Sequence, residues 1–274
     1  MAADLTGADT TAPSAPQPPA AAGPLLTTVP PHRFRFGLIY GGLALILGAA
    51  IAGLVIFAGR SIHPAPAWSS WKPSGGGLGA AQEIADHVGK TYRLPNGDQL
   101  VDVITKAPSV SPPSSATIPV HYIAVRGPKG GQDQIYPVSS TNSVMYSLCG
   151  LGTSCAIATG TPSVERGRLV RREILELALY TFKYAGGIQN VIAFMPPQLG
   201  KQAKYVVYLR RSDLNPELKQ PLLQTLGAKV PLPKAIPARE VRTIDTTTGP
   251  RLYSFGVAQA PQGDLVFVLA PVTA

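Results

Sequence analysis

The sequence predicts an α+β domain that follows a single transmembrane helix, with a mostly antiparallel sheet packed against helices. Three observations predict it. Residues 36–59 carry no charged side chain. Beyond them, apolar and β-branched runs come in pairs joined by turn residues, the mark of hairpins. Amphipathic stretches of helical period stand between the pairs. That spacing favours an antiparallel layer under helices over a doubly wound sheet, which needs regular strand–helix alternation.

Composition sets the outer bounds. The chain has 274 residues, 45% of them hydrophobic, which excludes a wholly disordered protein. Charged residues make up only 14%, against about 25% in an average domain. Two cysteines exclude a disulfide-dense scaffold, and four scattered histidines argue against a histidine-built metal centre. No cofactor is expected.

Residues 1–33 read as a disordered cytoplasmic tail. Seven of the first 31 are proline, and the only charges there are Asp4 and Asp9. Such a segment buries too little apolar area to offset the entropy of ordering it. Residues 34–60 read as the membrane helix, because 24 uncharged residues at about 1.5 Å each cover a hydrocarbon core of about 30 Å. The apolar run is too long, and too far from the start, for a cleaved signal peptide, although Ala65-Pro66-Ala67 has the small residues of a cleavage site. Gly37 and Gly41 have the small-residue spacing that lets two membrane helices approach.

Residues 61–79 read as a juxtamembrane linker, with Pro64, Pro66, Pro73 and the run Gly75-Gly76-Gly77. Its tryptophans, Trp68 and Trp71, suit either the bilayer interface or packing on a partner or on the folded domain. Residues 80–274 read as the extracytoplasmic domain. The pattern gives a short helix over 80–94, strands at 99–105 and 120–126, and a proline–serine loop between them at 107–119. Residues 135–148 are poorly patterned and fit strand or partial helix. The strongest helix is 162–184, with Thr161 as its cap, Pro162 at its first position and Gly186-Gly187 at its end. Two hairpins follow, at 188–195 with 203–210 and at 251–259 with 264–270. Between them stand a helix over 216–226 broken at Pro221 and a proline-rich connection over 228–240.

Cys149-Gly-Leu-Gly-Thr-Ser-Cys155 is the most pointed local motif. Five intervening residues with two glycines let the chain turn back and close a disulfide; two buried thiols or a redox pair are the other readings. A disulfide needs an oxidising compartment, which places the N-terminus in the cytoplasm and the domain outside it. Charges flanking the membrane run decide little, with Arg33 and Arg35 before it and Arg60 and Lys72 after it.

Arg166, Arg168, Arg171 and Arg172 crowd the start of the long helix, interleaved with Glu165, Glu173 and Glu176. They form either a salt-laced solvated face or a contact for an acidic partner. From residue 61 onward, 21 Lys and Arg against 13 Asp and Glu leave +8 of the chain's +9. Envelope or membrane proteins, anionic lipid or an acidic envelope polymer suit that charge, whereas nucleic acid is topologically disfavoured. Glu83 and His87 share a helix face as a surface pair. No nucleophile elbow, dinucleotide fingerprint or phosphate loop occurs, so no residue is assigned a catalytic role. The sequence therefore points to an accessory or structural subunit of a membrane or envelope assembly, acting by tethering and protein–protein contact. A binding module for acidic polymer or anionic lipid and an extracytoplasmic hydrolase are the alternatives.

Overall fold

A computed structural model describes residues 32–59, 67–110, 118–127, 134–261 and 263–272, without the side chains of residues 32–34, 58 and 59. Residues 1–31 of the tail expected over 1–33, and most of the proline–serine loop, 111–117, lie outside the described residues. The chain divides into two units, one ending at Pro64 and one starting at Ala65.

The first unit contains helix α1, His32–Gly59. Its window Arg35–Phe57 has a mean hydropathy of 2.3, and none of it is buried against protein. The helix is apolar on every side, so it has no stripe to turn toward a core. It is long and apolar enough to cross a membrane. No neighbour lies within van der Waals reach of a Cβ at Gly37 or Gly41.

The second unit is an α+β domain. Its elements are α2 (Gly77–Gly89), β1 (Asp102–Lys106), β2 (Ser109–Val110), β3 (Ile118–Pro119), β4 (Tyr122–Arg126), β5 (Ile135–Ser139) and β6 (Ser143–Cys149). Then come α3 (Val164–Tyr184), β7 (Asn190–Phe194), β8 (Tyr205–Arg210), α4 (Asn215–Lys219), α5 (Leu222–Thr225), α6 (Ala238–Thr248), β9 (Leu252–Gln259) and β10 (Leu265–Pro271). Among the described residues, eight strands form one sheet in the order β1-β6-β7-β8-β9-β10-β4-β5, and β2 pairs with β3 separately. Both expected hairpins form, β7 with β8 and β9 with β10. The sheet is mixed, because β6–β7 and β10–β4 are parallel ladders inside an otherwise antiparallel set.

Several boundaries shift for local reasons. The long helix starts at Val164, because the Ser163 hydroxyl accepts the Arg166 N–H at 3.1 Å and Thr161 lies outside. Pro221 separates α4 from α5 as expected. The poorly patterned stretch 135–148 is two strands, β5 and β6, around the short turn Ser140–Asn142. Helix α6 occupies the end of the expected proline-rich connection and the residues after it.

Alternation along the central strands builds two cores. Val144, Tyr146 and Leu148 of β6, Val191 and Ala193 of β7, and Val207 and Leu209 of β8 face the helices. Met145, Ile192, Val206 and Tyr208 point the other way, into a cluster with Ile123, Val125, Phe267 and Leu269. That second cluster exists because the sheet curls. Strand β5 stands at one edge and β6 next to the other, six strand places apart. Flat, at about 4.8 Å per strand, they would lie about 29 Å apart. The three-residue turn joining them spans at most about 15 Å. Curling also brings Phe194 of β7 against Phe267 of β10, ring centroids 5.6 Å apart.

The domain begins before residue 80. Trp68 is 9% exposed and packs edge-on against Tyr180 and Tyr184 of α3, with centroids at 5.5 and 5.6 Å. Trp71 stacks on His87 of α2 at 3.9 Å. The Trp68 carbonyl accepts the Leu222 N–H, and Glu83 accepts the backbone N–H groups of Ser74 and Gly75. Residues 67–76 are thus a packed strap, and both tryptophans belong to the domain rather than to a free linker. Trp68→Ala should lower stability by about 3–5 kcal/mol, read by circular dichroism during urea unfolding of the full chain in detergent. Trp68→Phe should lose clearly less.

Candidate functional site

The sequence-predicted arginines lie mostly inside the domain. Arg172 has no exposure at all. Its Nε donates to Glu240 Oε2 at 2.6 Å, its Nη1 to Glu176 Oε2 at 3.1 Å and to the Tyr92 hydroxyl at 2.6 Å, and its Nη2 to the Gly227 carbonyl at 3.0 Å. A guanidinium so enclosed does not face a partner, which corrects that reading of Arg172. Arg168 and Arg171 both pair with Asp245 of α6, at 3.0 and 2.6 Å. Arg166 is 7% exposed and donates to the Thr159 carbonyl. The set fastens α3 to α6 and to its own approach loop. Burial raises the Asp245 carboxyl, but hydrogen bonds from Arg168 and Arg171 outweigh it and hold the group below the usual carboxylate range.

Cys149 and Cys155 are bonded to each other. Ser154 and Cys155 both take the left-handed backbone region, at φ 55° and 60°. A Cβ at Gly150 would collide with the Ala156 carbonyl, so the close return of the chain requires glycine there. The expected surface pair of Glu83 and His87 does not form: Glu83 holds the strap and His87 stacks on Trp71.

A cavity lies where the curl brings β4 and β5 opposite β8 and β9. It measures about 590 Å³ and is lined by Arg126, Arg210 and Arg251, by Tyr136, Tyr208 and Tyr253, and by Asp213. A second hollow of about 330 Å³ shares Pro137, Val138, Tyr208 and Arg210 with it and extends the cleft toward Asn190. Asp213 takes Arg210 Nη2 at 3.1 Å and Arg251 Nε at 3.2 Å. Burial raises the Asp213 carboxyl, yet these donors keep it below its ordinary range. Arg126 has no ion pair among the described residues. Among the described residues, three guanidiniums against one carboxylate leave the cleft formally +2. Burial pushes the Tyr208 and Tyr253 hydroxyls up, so both stay protonated donors. None of these residues is among the sequence-predicted contacts, because no local motif unites them.

A third cavity, about 210 Å³, lies under the strap. Trp68, Ser69, His87, Thr91, Glu176 and Tyr180 line it with leucines of α5. Burial raises the Glu176 carboxyl, and Arg172 and the Tyr92 hydroxyl pull it partly back. Burial also pushes Tyr180 up to about 12 and His87 down. Neighbouring Glu173 is fully buried, and neither of its oxygens has a hydrogen-bond partner among the described residues. Desolvation therefore lifts its carboxyl well above the ordinary value and keeps it protonated. Among the described residues no group of His, Cys, Asp and Glu is placed to hold a metal ion. No family model, no curated protein and no solved structure matches the chain.

Two outcomes follow from these buried charges. Arg172→Met strands Glu240 and Glu176 together and should cost about 3–5 kcal/mol in urea unfolding. Glu173 ionises in the unfolded chain before it does in the folded one, so it opposes folding increasingly as pH rises above the ordinary value of 4.5. Glu173→Gln should therefore stabilise the protein, and its advantage should grow between about pH 5 and pH 7 by up to about 1.4 kcal/mol per pH unit. Parallel unfolding curves across that range read the slope.

Proposed function

We propose that this chain is a membrane-tethered accessory subunit whose domain holds an acidic segment of a partner protein in the cleft of Arg126, Arg210 and Arg251. The observation that carries the reading is the cleft itself, in which, among the described residues, three guanidiniums and three tyrosines converge on one hollow with a single carboxylate. Arginine and tyrosine together give charge, directed hydrogen bonds and stiff apolar area, the chemistry of protein contact sites. Arg168, Arg171 and Arg172 of α3 are committed to α6 and Arg166 to the loop before α3, so the proposed contact moves from that helix to the mouth of the curled sheet.

Helix α1 supplies the anchor in this reading, with Gly37 and Gly41 as the face that packs on another membrane helix. The bond between Cys149 and Cys155 supports a domain outside the cytoplasm, with the N-terminus within it. Tethering restricts the domain to the membrane surface, where even a weak cleft works at a high effective concentration of partner. The hydrolase alternative receives no support from the cleft, which presents arginines and tyrosines rather than a nucleophile with a base beside it.

The full chain in a nonionic detergent, titrated with a fluorescent poly-glutamate peptide, tests the proposal. Arg126→Ala with Arg210→Ala should weaken binding by at least about tenfold. Raising the salt from about 50 to about 300 mM should weaken the wild type more than the double variant. Equal affinities would overturn the reading. Preference for an anionic lipid vesicle or an acidic glycan over the peptide would reassign the cleft to a non-protein partner.

A further inference from the structure

The cavity under the strap is independent of the basic cleft and has the opposite electrostatic character. Arg172 is enclosed with two carboxylates, Glu176 and Glu240, so the buried cluster carries more negative than positive charge. Both carboxylates accept from Arg172 through Oε2, and the Tyr92 hydroxyl also donates to Glu176 Oε2. Glu240 Oε1 is taken by the Gly227 N–H at 3.0 Å. Glu176 Oε1 is the one carboxylate oxygen of the four with no hydrogen-bond partner among the described residues. It is also not sealed from solvent, and Glu176 is among the residues that line the cavity.

The remaining walls suit a cation with an apolar body. Trp68 and Tyr180 present aromatic surface, and Leu222, Leu226 and Val230 close the far side. The Lys183 ammonium already stands over the Trp68 ring, 5.5 Å from its centroid. This aromatic group therefore accepts a positive charge nearby. The cavity is smaller than the usual range for drug-sized ligands, so its occupant is of fragment size.

We propose that this cavity binds a small organic cation, a primary ammonium on a short alkyl stem, with the ammonium on Glu176 Oε1 and the stem among Leu222, Leu226 and Val230. The ammonium supplies the donor that Oε1 lacks. The stem replaces water against leucine and aromatic carbon. A neutral alcohol of the same length meets the same walls but brings no charge.

Trp68 and Trp71 are the only tryptophans in the chain, and both lie at this strap, so intrinsic fluorescence reads the site directly. The experiment titrates the full chain in a nonionic detergent with n-butylammonium chloride, against n-butanol and against sodium chloride at matched ionic strength. A saturable change in the millimolar range with butylammonium alone is expected. Glu176→Gln should weaken it at least fivefold. Ala228→Leu, at the exposed rim, leaves the buried network intact and should obstruct the cavity and weaken it similarly. It decides the matter if the Glu176 variant fails to fold. A response absent from the wild type, equal with butanol or salt, or unchanged in Ala228→Leu would overturn the proposal.

Discussion

Much of the domain is arranged around one buried guanidinium. Arg172 enters from α3 and meets Glu240 of α6, Glu176 one turn along its own helix, the hydroxyl of Tyr92 after α2, and the carbonyl of Gly227 between α5 and α6. Four stretches of chain are thereby held to one point. A buried charge is costly unless each of its donors finds a partner, and here four different groups supply them. This arrangement gives α6 a place to dock although it has little apolar surface of its own. It also forms the floor of the cavity under the strap, because the carboxylate lining that cavity is one of the partners of Arg172.

The second organising constraint is geometric. A three-residue turn between β5 and β6 forces the eight-stranded sheet to curl until its two ends approach. Curling gives the sheet two buried faces, one under helices and one closed by its own later strands. It also opens a mouth where β4 and β5 meet β8 and β9. The arginines and tyrosines there come from widely separated sequence positions, and no local motif unites them. The domain therefore has two hollows of opposite charge on one scaffold, a basic one at the mouth of the curl and an acidic one under the strap.

The sequence revealed most of what rests on apolar periodicity. The long apolar helix, helix α3, both hairpins, the break at Pro221 and the closed cysteine loop were all legible. The reason is common to them: each is dictated by near neighbours in the chain, through hydropathy, turn residues or ring constraints. Helix α6 was not legible. Its buried positions are Glu240, Ile244, Thr247 and Thr248, a helical stripe written mostly in polar letters. A reading that looks for apolar spacing passes over it, and with it goes the partner that turns the arginines of α3 inward. Strands β5 and β6 were merged because Pro137 and the serines around it hide the alternation. The tryptophans were ambiguous for another reason: an aromatic ring suits a bilayer surface and a protein core equally well, and only Tyr180, Tyr184 and His87 decide between them. The basic cleft was beyond reach, since it depends on the curl of the sheet.

Pro137 has a further consequence. It sits in the middle of β5, the strand at one end of the sheet, and interrupts that strand's row of backbone donors. If the chain is confined to a membrane plane, copies of it meet far more often than free molecules would. An unbroken terminal strand would then invite one copy to zip onto the next and spread into fibres. The missing donor at Pro137 works against such pairing along the β5 edge.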